Sequence, residues 1–104
     1  MNKSLRHPGE VLLKRYMEPK GITRHDMSGV LEMPYVRVVA LLSGGTSITA
    51  TMAIRLSEAF GTRAEYWMEM QNAYDLSRER GRLGKQGNEV GKKIKRRLEK
   101  KGLA

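Results

Sequence analysis

Apolar residues recur at helical spacing in five successive segments, each bounded by residues that start or stop a helix. Pro8 and Glu10 suit the first turn of the first: proline lacks only an N–H that would be orphaned there, and a carboxylate favours the positive end of the helix dipole. Val11, Leu12, Tyr16 and Met17 follow until Pro19 and Gly21 stop the pattern, which predicts a helix over about 8–18. Thr23, with Asp26 three residues on, marks the N-cap of a second helix ending near Leu31, with Met27, Val30 and Leu31 facing inward. Thr49 caps a fourth, with Met52, Ala53, Leu56, Ala59 and Phe60 on its apolar side and Gly61 as the left-handed residue that closes it. Thr62-Arg63-Ala64-Glu65 reads as a capping box that opens a fifth.

The stretch between the second and fourth helices, LEMPYVRVVALLSGGTSIT (31–49), sets propensity against periodicity. Val36, Val38 and Val39 are β-branched and favour a strand, whereas Pro34 and Gly44-Gly45 punctuate a short helix. Proline would break a ladder inside a sheet, and the chain holds no second alternating apolar run to pair with. A helix is therefore predicted, with Val38, Leu41 and Leu42 on one face and Val36, Arg37 and Ala40 towards the other. The fifth helix carries more apolar side chains than one stripe needs: Tyr66, Trp67, Met68, Met70, Ala73, Tyr74 and Leu76. The expectation is that one side is core and part of the other is covered by a second copy through Trp67, Met70 and Tyr74; the alternative is that all of it is core.

Charge alters this picture at the C-terminus. The chain of 104 residues carries +9, yet residues 1–80 hold 11 Lys/Arg against 9 Asp/Glu while residues 81–104 hold 9 against 2. The expected organisation is a nearly neutral body over 1–80 and a basic tail over 81–104 with polyanions as its natural partners. Gly81, Gly84, Gly87 and Gly91 each cost about 1 kcal/mol in a helix interior. Val90, Ile94 and Leu98 keep i, i+4, i+8 spacing and would suit an amphipathic helix against a partner, but an isolated helix of that length is marginal, so a flexible tail is expected in the free protein. The chain has no cysteine, and no apolar run exceeds Val38 to Leu42. These features predict a cytoplasmic protein with no signal peptide, membrane span, disulfide or thiolate metal site.

Two short helices joined by a tight turn, the second with an exposed polar face, outline a helix-turn-helix. The spacing is specific: Arg24 opens the unit, Met27 and Ser28 follow three and four residues later, Met33 fills the turn, and Val38 and Leu41 lie fourteen and seventeen after Arg24. Inward residues so placed hold the helices at about 90–120°, with a small residue at Ser28 permitting close approach, and free the second helix to enter a major groove. The unit resembles the Xre/Cro-type helix-turn-helix. Its flanks HPGE (7–10), ITATMAIRLSEAFGT (48–62) and AEYWMEMQNAYDL (64–76) are similar to HigA-type (VapI-like) antitoxins over roughly residues 7–76.

The resemblance implies an all-α, five-helix lambda-repressor-like domain, a homodimer, a palindromic double-stranded DNA operator and a HigB-like toxin partner; the basic tail is not part of the shared pattern. Glu32 stands where the family usually has Gly, a position that tends to need positive φ and costs another residue roughly 1 kcal/mol. By position, Tyr35, Val36, Arg37 and Ala40 would face bases. Arg can donate to guanine, Val and Ala can pack on thymine methyls, and Tyr can reach a base or phosphate. Arg37 could equally hold a phosphate. Arg24 and the loop Gly44-Gly45-Thr46-Ser47 would hold phosphates, although turn chemistry alone also explains the glycines.

No catalytic constellation is present. His7 and His25 lack metal spacing and suggest only capping or surface roles, and His25, Asp26 and Ser28 cannot converge on one helix into a nucleophile, base and orienter. No cofactor, metal or membrane partner is expected. The predicted function is a DNA-binding antitoxin that represses its own operon and neutralises an RNase toxin. The alternatives are a solitary repressor and a toxin-binding protein with vestigial DNA binding. A tail this basic suits DNA or RNA better than a basic toxin.

Overall fold

The computed structural model describes residues 6–84 and 87–102, so the ends of the predicted body and tail, and residues 85–86, fall outside it. The described residues form helices and turns throughout: α1 (Pro8–Val11), α2 (Arg24–Leu31), α3 (Tyr35–Leu42), α4 (Ala50–Phe60), α5 (Ala64–Leu83) and α6 (Glu89–Lys100). The Pro34–Leu42 segment is helix, as periodicity predicts over propensity.

The first helix is longer and less regular than predicted. After α1 it widens into a π turn (Leu12–Met17), tightens into a 3₁₀ turn (Glu18–Lys20), and ends at Gly21 with φ 66°. Pro19 thus sits inside the helical segment rather than stopping it. A proline ring clashes with the carbonyl four residues back and has no N–H to bond it, and the change of winding around it accommodates both defects.

Met27, Leu31, Val38, Leu41, Ala53, Leu56 and Trp67 are buried and join α2, α3, α4 and α5 in one core. An eight-residue helix such as α3 would not persist alone in water. Burying Val38, Leu41 and Leu42 at about 1.5–3 kcal/mol each fixes it instead from the inside. Gly9 lets the first helix lie against α3: a Cβ there would fall within 1.9 Å of the Leu41 carbonyl oxygen.

The helix ends repeat most of the predicted chemistry. Thr23 Oγ1 accepts from the Asp26 N–H at 3.0 Å while the Asp26 carboxylate accepts from the Thr23 N–H at 2.9 Å, and these bonds hold the Asp26 pKa below its ordinary value. Thr49 caps α4 by accepting from the Met52 N–H, and the Met52 sulfur accepts in return. The fifth helix departs from expectation. Its N-cap is Arg63, with no side-chain bond to the backbone, and the Thr62 hydroxyl accepts instead from the buried Trp67 indole N–H at 2.8 Å. An unpaired indole donor in the core would cost more than an uncapped, solvated helix end, so Thr62 serves the tryptophan.

Beyond the body, α5 continues through Arg80 to Leu83, and the stretch expected as a tail carries a further helix, α6. Asn88 accepts from the Gly91 N–H, Glu89 occupies the first turn, and Arg97 and Lys100 occupy the last, all in agreement with the helix dipole. No residue of α6 is buried. The radius of gyration is 18.4 Å, against about 13 Å for a compact chain of this length.

Candidate nucleic-acid interface

The turn between α2 and α3 is bonded from inside. The Ser28 hydroxyl donates to the Met33 carbonyl oxygen at 2.5 Å, and the Met33 N–H donates back to the Ser28 carbonyl at 3.2 Å. Ser28 is therefore a bonding partner of the turn as well as a small residue within it. Glu32 adopts φ 52°, ψ 51°, the left-handed conformation anticipated from its position, and is the one non-glycine residue with positive φ among those described. Arg55 of α4 supports it, donating to the Leu31 carbonyl at 2.7 Å and lying 3.4 Å from the Glu32 carboxylate. A side chain on α4 thereby closes the C-terminus of α2. Nothing in local spacing signals that contact, which spans 24 residues.

With Val38, Leu41 and Leu42 turned inward, α3 presents Tyr35, Val36, Arg37 and the half-buried Ala40 on its outer side, and Val36 is 72% exposed. Val39, 39% exposed, belongs to the same patch and was not among the predicted base-facing residues. At 100° per residue it falls between Tyr35 and Val36, so the signal was available in the sequence. Tyr35 stacks on His25 with ring centroids 4.5 Å apart and planes 26° from parallel. That stack joins the start of α3 to the start of α2, where Arg24 is exposed in the first turn. His25, Asp26 and Ser28 have three separate partners: Tyr35, Thr23 and Met33.

The loop after α3 divides the predicted phosphate contacts. The Gly45 N–H donates to the Ala40 carbonyl at 2.7 Å and the Gly44 N–H to the Leu41 carbonyl at 3.0 Å. Both donors already close the C-terminus of α3, so neither glycine offers its N–H to a phosphate, and turn chemistry accounts for them. Thr46 is half-buried and Ser47 is exposed. Gln71 of α5 positions this loop: its Oε1 accepts from the Ile48 N–H at 2.8 Å and its Nε2 donates to Asp75 at 3.0 Å. A buried glutamine between two exposed acids gave no sequence signal.

His7 is more than a capping or surface residue. It is buried, its Nδ1 accepts from the Gly9 N–H at 2.9 Å, and its ring meets Tyr74 edge-on at 4.9 Å while Gly44 packs against it. One imidazole so joins the first helix, the loop after α3, and α5. Desolvation lowers its pKa from the ordinary value, against the opposing influence of the Thr46 backbone.

The predicted pairing residues on α5 separate. Trp67 is fully buried in the core of its own chain and has no surface to give a second copy, which corrects its assignment. Met70 is half-buried beside Val11 and Tyr66, and Tyr74 is half-buried against His7.

Two clamped helices with the outer side of the second left bare define a helix-turn-helix DNA-binding domain. The chain matches the helix-turn-helix family over residues 13–67. It is 39% identical over 70 residues to virulence-associated protein I of Dichelobacter nodosus, covering 67% of this chain and 65% of that one, so it spans somewhat under two thirds of that relative. It is 37% identical over 79 residues to antitoxin HigA-1 of Vibrio cholerae, covering 73% and 74% of the two chains. Among solved structures, Pseudomonas aeruginosa antitoxin HigA with the higBA promoter superposes with a TM-score of 0.74 at 32% identity, over 79% of this chain and 89% of that one. The chain belongs to the Xre/Cro-type helix-turn-helix family, among the relatives of HigA antitoxins. That is a family of DNA-binding regulators and antitoxins rather than of enzymes.

Proposed function

We propose that this protein is an operator-binding antitoxin that acts as a homodimer, represses its own operon and neutralises a toxin encoded beside it. The observation that carries the reading is the outer side of α3, with Tyr35, Val36, Arg37, Val39 and Ala40 on a helix anchored by its buried inner face. In this reading Arg37 donates to a guanine edge, while Val36, Val39 and Ala40 pack on thymine methyls. Arg24 and the hydroxyls of Thr46 and Ser47 hold phosphates on either side. Residues 1–80 carry the sequence preference, and residues 81–104 add polyanion affinity through their excess of Lys and Arg. Relatives named as antitoxins, one of them solved with promoter DNA, support both the DNA and the toxin.

Footprinting on the promoter upstream of its own reading frame tests the proposal. Two protected half-sites about 34 Å apart on a near-palindrome are expected, from two recognition helices related by a two-fold axis. Uniform protection without half-sites contradicts operator reading. Co-purification with the product of the adjacent frame tests the toxin, and a chain that neither binds nor neutralises that product is a solitary repressor.

A further inference from the structure

Apart from the outer side of α3, two apolar faces among the described residues are bare, and they differ in charge. Along α5, Met68, Leu76 and Leu83 are exposed, and the segment 64–76 carries Glu65, Glu69 and Asp75 with no Lys or Arg. Between that segment and the loop after α3 lies an open groove of about 370 Å³, lined by Ile48 and Met68 together with Ser47, Gln71, Asn72 and the acids Glu69 and Asp75. Gln71 holds the Ile48 backbone in place on one side of it. The other bare face is the Val90, Ile94 and Leu98 stripe of α6, set among six Lys/Arg and two Glu.

We infer that α6 is an exchange arm: its stripe seats in the acidic groove on α5 of a second copy, and the second copy returns the same contact. Charge selects this groove over the one between the first helix and α5: Glu69 lines both, but there Arg6 and Arg15 outnumber it beside Val11 and Met70 and would repel a basic arm. Length selects a second copy over the arm's own body. An antiparallel return across residues 84–88 would set Val90 beside Leu83 and Leu98 beside Leu76. Met68 lies eight residues before Leu76, about 12 Å further along the helix at ~1.5 Å per residue, beyond the stripe's reach. An arm from a second copy has no such limit. Lys92 and Arg96, on the side of α6 away from the stripe, stay outward and remain available to a polyanion.

The inference rests on the pairwise assembly proposed above, and its test separates the two. The chain has no cysteine, so single cysteines report only contacts between chains. A Met68→Cys chain bearing a size tag is mixed with untagged Val90→Cys, Ile94→Cys or Leu98→Cys chains, oxidised and run without reductant. A mixed disulfide is expected from at least one arm position, well above the product of either chain alone. In sedimentation, Ile94→Asp should raise the dimer dissociation constant at least tenfold while Ile94→Leu leaves it near wild type, and circular dichroism checks that both remain folded. A dimer without any mixed disulfide overturns the arm and leaves the assembly standing. A monomer at every concentration overturns both, and a monomer that floats with anionic phospholipid vesicles gives the stripe to a lipid surface instead.

Discussion

Gly9 sits where the first helix crosses the end of α3, with no room for a methyl group against the Leu41 carbonyl. Gly9→Ala should destabilise the fold by at least about 1–3 kcal/mol, the usual cost of overpacking, seen as a lower midpoint in urea at unchanged slope. His7, two residues earlier, provides a pH test. Its pKa is lowered in the folded chain, so the unfolded chain takes up the proton first as pH falls. The stability it contributes is complete above its ordinary pKa of 6.5 and is lost as pH drops from there through the folded value. Thermal melts between pH 7.5 and 5 should therefore fall more steeply for wild type than for His7→Gln, and parallel slopes would contradict the role. The motif HPGE was legible as a helix start, but the burial of His7 was not. That burial depends on Tyr74 and Gly44, 67 and 37 residues away along the chain, and periodicity carries no such information.

At the scale of elements, the sequence shows where helices begin better than how they join. The caps of α2 and α4 followed from threonines three residues ahead of their N–H partners, a wholly local geometry. The same reasoning failed at Thr62, because a buried indole competed for its hydroxyl. It failed again at the first helix, where a proline rewound the segment instead of ending it. The brace from Arg55 to the turn between α2 and α3 is the clearest long-range contact. Arg55→Ala should cost about 1–2 kcal/mol, from the loss of a charged donor to the Leu31 carbonyl and of support for the left-handed Glu32. Glu32→Gly should recover roughly 0.5 kcal/mol or more, because relief of the left-handed strain exceeds the worth of an exposed ion pair. Chemical denaturation of both single variants measures these changes, and a stabilised Arg55→Ala would refute the brace.

The whole molecule pairs a nearly neutral body with a cationic C-terminal helix. The helical class was readable from apolar spacing together with the prolines, glycines and caps that bound each segment, and the outer side of α3 followed from it except for Val39. In the tail the i, i+4, i+8 spacing of Val90, Ile94 and Leu98 marks the helix that forms, with Asn88 and the end charges favouring it against the cost of the glycines. Removing residues 81–104 should lower the slope of log affinity against log salt and leave the preferred sequence unchanged, when measured above the dimer dissociation constant. An unchanged slope would assign the tail away from DNA. The central claim is that α3 reads base edges, and the most direct measurement is a pair of anisotropy titrations of wild type and Arg37→Ala, one on the protein's own promoter and one on a scrambled duplex of equal length. The account predicts a loss of about 1–3 kcal/mol on the promoter and little change on the scrambled duplex. Equal losses on both would reduce Arg37 to a phosphate contact and contradict the claim.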